Sequence, residues 1–530
     1  MPPLPVLMLP ETFTLLAAAC VPCFTAPTYR TFCFLVAGWV HCAGCVGRHT
    51  VTGVALAAGV VGEGGLRSWR HISTFHRFFS RATWSLDHLG LMVFRLALRW
   101  VPTDAGDGPL AVLADDTLAR KGGKAIALGS MHPTPDDPLL SSARKAFSRF
   151  GHVWVVLALW VPLPFGPRGG PKGIAIPLLF RLYVGSTRGN RADASSARAG
   201  GARRTSGPRY RRADAAFPPP EQRPTKPQLA REGIALVAQW AATFAPGRTV
   251  YVVGLVGDTV YTNRTTMERR PANVEVVGRM RLDAALFAPP PLRRPGQRGR
   301  SRRRGDRLPT PQAMASARTP HGTWHRLRLT LYGKTVTPLV FHDTALWYGA
   351  LREAPVRFVV VRDPSGRRRD EAFFCTDCTD LTVNATFLLT TYAKRWSLEV
   401  AFFDCKQSLG FEDPQNQATR AVRRTAPFAG LVYALVVLWA AHQVRAGHVL
   451  RWVPRPWYRH KASLSFADLL EAFRQASACR PRRAAAPPAP LSAAPCPPRR
   501  PRNSRRCASL TTTAPSSGSR ATRHNGGTRA

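Results

Sequence analysis

The amino-acid sequence predicts an α/β fold, and three observations predict it. AVLADD (Ala111 to Asp116) is a short apolar run ending in two aspartates, which reads as a buried strand delivering carboxylates at its C-terminal end. HVWVVLALWVPLPF (His152 to Phe165) and GIAIPLLFRLYV are two more strand-like runs, so that the three form adjacent strands of one sheet. PQLAREGIALVAQWAATF then reads as an amphipathic helix, and RTVYVVGLVGDTVYTN as a strand, Val250 to Val256, leading to Asp258. Helix, strand and acid in succession is an α/β arrangement.

The remaining elements follow in chain order. Residues 1–105 read as mostly helical. GRHTVTGVALAAGVVG, from Gly47, predicts a helix started by Thr50 or Thr52. HISTFHRFFSRATWSLDHLGLMVFRLAL mixes basic and aromatic residues over one or two helices, which suits either a small DNA-binding domain or an ordinary amphipathic bundle. Residues 106–265 hold the strands and helix above, interrupted at 186–225 by a segment low in apolar residues and rich in Arg, Gly, Ser and Pro, expected to be a disordered basic insertion. Glu399 follows Asp258 by 141 positions, too long a separation for a loop. VEVVGRM, WHRLRLTLYG, KTVTPLVFHD and VRFVVVRD are strand-like, and RRPGQRGRSRRRGDR is intensely basic, so 266–380 reads as a β-rich insertion carrying a basic loop. Residues 381–450 hold two helices. The second contains AGLVYALVVLWAA, shorter than the ~18–20 residues of a membrane span and read as a buried helix. Residues 451–530 form a C-terminal region with almost no large apolar residues from about 479, expected to be disordered.

Charge narrows the partner. The chain carries 75 Lys and Arg against 31 Asp and Glu, a net +44 that calls for a polyanion, most often nucleic acid. A codon bias toward Arg, Pro and Gly contributes, since 47 Pro and 42 Gly accompany the arginines. Met1 to Pro10 lacks the basic start of a secretory signal, so the expectation is a soluble, cytoplasmic chain with no membrane partner and mostly reduced cysteines. Cys20-x-x-Cys23 and Cys42-x-x-Cys45 fit a four-cysteine zinc template. Their surroundings, TFCFLVAGW with Cys33 in the middle, read instead as packed helix. Cys375-x-x-Cys378 stands alone.

One segment has unusual chemistry. In YAKRWSLEVAFFDCKQSLG, from Tyr392, a helix would place Tyr392, Arg395, Glu399 and Lys406 at roughly 0°, 300°, 340° and 320°, one narrow stripe. Trp396, Val400 and Phe403 point elsewhere. A carboxylate framed by two cations and a phenol is a poor core and a reasonable way to hold a metal ion beside a phosphate. With Asp116 (or its neighbour Asp115) and Asp258, Glu399 completes three acids. Converging carboxylates repel and need a cation. Hard oxygen ligands suit Mg²⁺ or Mn²⁺, and two such ions can drive phosphodiester cleavage. Each acid taken alone also reads as a turn former, a helix cap or a surface ion pair. GGK at Gly122–Lys124 lacks the rest of a phosphate-binding loop, so no nucleotide cofactor is expected.

Tyr392-x2-Arg395-x3-Glu399-x6-Lys406 resembles the Y-R-E-K signature of DDE-type insertion-sequence transposases. DDTLARKGGK, GHVWVVLAL, LVGDTVY, RLPTP and RWSLEVAFFDCKQSLGFEDPQNQ resemble other stretches of that family, over roughly residues 10–450. The resemblance implies an RNase H-like catalytic core interrupted by a β-rich insertion before the third acid. It implies that Asp116, Asp258 and Glu399 are the catalytic, metal-holding acids, Asp116 being preferred to Asp115 because it directly precedes Thr117. Arg395 and Lys406 would contact transposon-end phosphates, with Tyr392 beside them. The implied partners are DNA, as transposon ends and target, and a second copy of the chain on paired ends. The implied setting is the bacterial cytoplasm, nucleoid-associated when bound to DNA. Three function classes remain open on sequence alone: a metal-dependent recombinase, a DNA-binding protein that no longer cuts, and a nuclease of the same fold that does not join.

Overall fold

The computed structural model describes residues 9–45, 48–58, 71–102, 109–122, 126–133, 148–163, 172–185, 219, 222–254, 267, 270–293, 295–296, 298–316, 322–366, 368–451, 456, 461 and 463–478. Asp258, the segment 186–218 and the tail from 479 lie outside them.

Among the described residues, the chain opens with the helices α1 (Glu11–Ala18), α2 (Ala26–Cys45), α3 (Val51–Ala57), α4 (Ser73–Ser80) and α5 (Leu86–Leu98). Local chemistry sets their starts. Thr50 Oγ1 accepts from Gly53 N at 3.1 Å to cap α3. Ser85 caps α5 in the same way through His88 N. Their inner faces are aromatic. Phe32, Trp39, Phe78 and Phe79 surround Phe428, at ring separations of 5.2–5.9 Å. Cys20, Cys23 and Cys42 are buried in this core. Among the described residues no group of three or more His, Cys, Asp or Glu is placed to hold a metal.

The sheet begins with β1 (Leu110–Arg120), β2 (Ser130–Pro133), β3 (Ser148–Leu163) and β4 (Lys172–Tyr183). β1, β3 and β4 form an antiparallel run, with β2 pairing against the start of β3. Helix α6 (Lys226–Phe244) then crosses to β5 (Val250–Gly254), which lies parallel to β1. β6 (Val274–Met280) lies parallel to β5. Thr225 and Gln228 form a capping box that starts α6. The order β4-β3-β1-β5-β6, three antiparallel strands continued by two parallel ones, is the α/β core of RNase H-like type that the sequence predicts.

The segment after β6 lengthens this same sheet. Beyond the short helix α7 (Pro311–Ser316) come β7 (His325–Arg326), the separate β8–β9 hairpin (Leu329–Leu331, Lys334–Val336), β10 (Leu339–Leu346), the turn helix α8 (Tyr348–Leu351), β11 (Pro355–Arg362) and β12 (Glu371–Cys375). β12 pairs antiparallel with β6, and β11, β10 and β7 follow outward. VEVVGRM, read from sequence as part of the inserted module, is β6 and completes the parallel pair. Among the described residues, the helices α9 (Ala385–Ala393), α10 (Trp396–Ser408), α11 (Thr419–Arg445) and α12 (Phe466–Ala478) follow.

Register places the helices on opposite faces. Directly opposed residues in an antiparallel pair share a face. Asp115 opposes Val156, and Val156 opposes Phe180, against which Gly430 of α11 sits. Ala114 opposes Leu157, against which Gly233 of α6 sits. Odd positions of β1 therefore face α10 and α11, and even positions face α6. At 27 residues α11 has the length and composition to cross a membrane, but 94% of its apolar window is buried against the sheet and the N-terminal helices, so it is a core helix.

Candidate active site

Asp115 and Asp116 stand in the middle of β1, not at its end, because the ladder with β3 continues to Arg120 opposite Gly151. The expectation of carboxylates at the end of this strand is therefore not met. β5 stops at Gly254, opposite Ala114, so the two aspartates lie just past the carboxyl end of the parallel pair. Open sheets bind ligands at such ends. Gly254 makes the approach possible. Its φ is +120°, and a Cβ there would fall 2.4 Å from Ala114 O. The chain beyond it leads toward Asp258.

Adjacent strand residues point to opposite faces, and the two aspartates find different partners. Asp115 Oδ2 accepts from Arg395 Nη1 at 2.7 Å. The same guanidinium reaches Glu399 Oε1 through Nη2 at 2.6 Å, so one arginine bridges the two carboxylates. Asp116 turns away. Its Oδ2 accepts from Lys226 Nζ at 2.6 Å, in the first turn of α6, where Lys226 also lies over the Tyr183 ring. The structure thus brings Asp115, rather than the Asp116 favoured from sequence, beside Arg395 and Glu399.

Burial pushes the Asp115 carboxyl up to about 6, against the lowering effects of Arg395 and of the Asp116 amide, which donates to Asp115 Oδ1 at 2.8 Å. Burial would lower Arg395, but the charges of Asp115, Tyr392 and Glu399 outweigh it and the guanidinium is held charged.

The stripe predicted as one helix is divided. α9 ends at Ala393 and α10 begins at Trp396. Lys394 and Arg395 keep right-handed helical dihedrals, but Arg395 N bonds Tyr392 O and Leu398 N bonds Arg395 O, a tightened i→i+3 junction. Tyr392 therefore belongs to α9. It is buried, packs on the Phe373 ring at 4.7 Å, and burial pushes its phenol up to about 12. Lys406, in the last turn of α10, lies with its Nζ 3.8 Å from Glu412 Oε1. Trp396, Val400 and Phe403 are exposed on the other side of α10, with Tyr332 edge-on to Trp396.

Three residues near the site escaped the sequence reading as functional groups. Lys226 carries no local signal tying it to Asp116, since the pairing depends on where α6 docks. Lys121 and Glu412 lie in quoted motifs, RKGGK and GFEDP. Glu412 accepts from Arg120 N at 3.0 Å, and Lys121 Nζ donates to the Glu412 carbonyl at 2.7 Å. Burial brings the Lys121 amine down to about 8, although Glu412 and Asp413 oppose this.

The donor chemistry suits a hard divalent cation. Asp115 and Glu399 offer carboxylate oxygens at one place and share a single guanidinium between them. Asp258 is the third candidate ligand and lies outside the described residues.

The family described as DDE superfamily endonuclease matches residues 20–335. That span contains both aspartates of β1 and Asp258, and ends before α10. No curated protein matches the chain. A solved structure, the cryo-EM structure of the piggyBac transposase synaptic complex with hairpin DNA, aligns at 10% identity and a TM-score of 0.36, covering 89% of this chain and 78% of that one.

Proposed function

The chain belongs to the DDE superfamily endonucleases, and from that premise we propose that it is a transposase, cutting DNA at insertion-sequence ends with divalent metal ions and joining the freed ends to target DNA, as a homodimer on paired ends. The observation that carries this reading is the Asp115–Arg395–Glu399 constellation at the carboxyl edge of the parallel strands.

The acids assigned are Asp115, Asp258 and Glu399, holding Mg²⁺ or Mn²⁺, with Asp115 taking the place first given to Asp116. Two bound ions would supply an activated water or 3′-hydroxyl and stabilise the leaving oxygen. The chain's own residues prepare that place. Arg395 keeps two carboxylates together that would otherwise repel, and its planar fork can turn to a DNA phosphate when one arrives. Lys406 neutralises a neighbouring phosphate on leaving Glu412. Tyr392, packed on Phe373, fixes the end of α9 and so the position of Arg395. Asp116 and Lys226 pin β1 from the opposite face.

The test uses the DNA flanking the gene, searched for short inverted repeats, with wild type and Glu399→Gln compared in Mg²⁺ and Mn²⁺. Cleavage and joining by wild type, with a loss of at least about a hundredfold in the variant, is the expected outcome. Binding without cutting by either protein would make the chain a DNA binder, and cutting without joining would make it a nuclease.

A further inference from the structure

The basic segment between β6 and α7 is a built surface rather than a random tether. Over the fifteen positions 293–307 it carries eight arginines and one acid. Its two ends are fastened to the sheet extension. Phe287 and Leu346 exchange backbone bonds of 2.8 and 3.0 Å, Ala288 N bonds Asp306 O at 2.9 Å, Gly305 N bonds Ala288 O at 2.9 Å, and Leu308 N bonds Leu286 O at 2.9 Å. Arg304 locks the base, its guanidinium 4.1 Å from the Phe287 ring centroid and 5.1 Å from that of Tyr348. The described arginines of the segment, Arg304 included, are exposed. Arg300, Arg302 and Arg303 line an open hollow of about 490 Å³ with Pro290, Ser301 and Glu353. Glu353 pairs with Arg303 at 3.3 Å. Among the described residues, Arg300 and Arg302 have no carboxylate partner.

Resting on the reading above, we propose that this strap is a second DNA-binding surface, in which Arg300, Arg302 and Arg303 hold backbone phosphates of duplex DNA away from the cleavage site. Guanidinium forks match phosphate oxygens, and a hollow lined by three of them around one carboxylate keeps a net positive charge. The aromatic rings at its base are covered by Arg304, so the strap offers no face for base stacking. That favours a duplex over a single strand. Contacts of this kind carry no sequence information.

The test is duplex binding as a function of salt, by anisotropy, with one labelled duplex from the gene's flank and one unrelated. Each phosphate contact contributes about 0.9 to the slope of log affinity against log salt. Arg300→Gln/Arg302→Gln is expected to lower that slope by about 2, equally for both duplexes. Glu353→Gln, which frees Arg303, is expected to raise it, and this opposite sign separates lost contact from lost folding. A steep wild-type slope retained unchanged in both variants overturns the strap while leaving the transposase reading intact. A wild type that binds neither duplex overturns both.

Discussion

Asp115 and Asp116 are chemically identical neighbours whose roles are set by which face of β1 each occupies. One meets a guanidinium shared with Glu399, the other a lysine from α6. The Thr after Asp116, on which the sequence preference rested, does not set their faces, because face is decided by strands and helices far away in sequence. Gly254 acts at the same scale. Gly254→Ala puts a Cβ against the Ala114 carbonyl at an unfavourable φ, so we expect a loss of about 2 kcal/mol or more in urea unfolding. His152 carries a pH dependence. Burial holds its imidazole down to about 4, while Nε2 bonds Ala127 O at 2.8 Å. In the unfolded chain the ordinary value is 6.5. Between those values the unfolded state binds the extra proton, so the His152 contribution to stability falls as pH drops from 6.5 toward 4 and changes no further below it. The full loss is about 3 kcal/mol. Asp115, whose raised carboxyl gains stability as pH falls through the same window, is common to wild type and His152→Gln, so in unfolding curves the wild type should lose about that much stability relative to the variant between pH 6.5 and 4.

Periodicity and capping made most individual elements legible. The apolar runs of β1, β3, β4 and β5 and the amphipathic pattern of α6 lie where the sequence predicts. Thr50 is the N-cap the sequence predicts, whereas Thr225, assigned from sequence to the end of the disordered insertion, is ordered and caps α6. Thr225→Ala removes the capping box of α6 and should cost about 1 kcal/mol in the same unfolding assay. The division between α9 and α10 was hidden because Lys394 and Arg395 keep helical dihedrals. Only the hydrogen-bond pattern tightens there, and no Gly or Pro marks the place. The shift matters for function, since Arg395 stands at the junction rather than within a helix. The extension of the core sheet by β12, β11 and β10 was equally illegible. Strand-like runs announce strands, but pairing with β6 is a long-range choice that their composition does not encode.

At the scale of the molecule, the N-terminal helices are tied to the active-site region by specific bonds. Trp39 Nε1 donates to Leu409 O at 2.8 Å, just past the end of α10, and His49 N donates to Asp413 Oδ2 at 2.8 Å. Arg424 of α11 reaches back to the carbonyls of Phe79, Ala82 and Trp84 and stacks on the Trp84 ring at 4.4 Å. Arg424→Met would leave those buried carbonyls short of donors, and we expect a destabilisation of about 3 kcal/mol by denaturant titration. In a chain with a net charge of +44 and few acids, Asp115 and Glu399 are gathered on one arginine at the centre of the sheet. The most direct test of that centre is metal-dependent cleavage of flanking DNA under single-turnover conditions by wild type, Asp115→Asn and Asp116→Asn. The geometry predicts loss of at least about a hundredfold for Asp115→Asn and a fall of less than about tenfold for Asp116→Asn, whose partner is structural. The reverse order would contradict the assignment and return the first acid to Asp116.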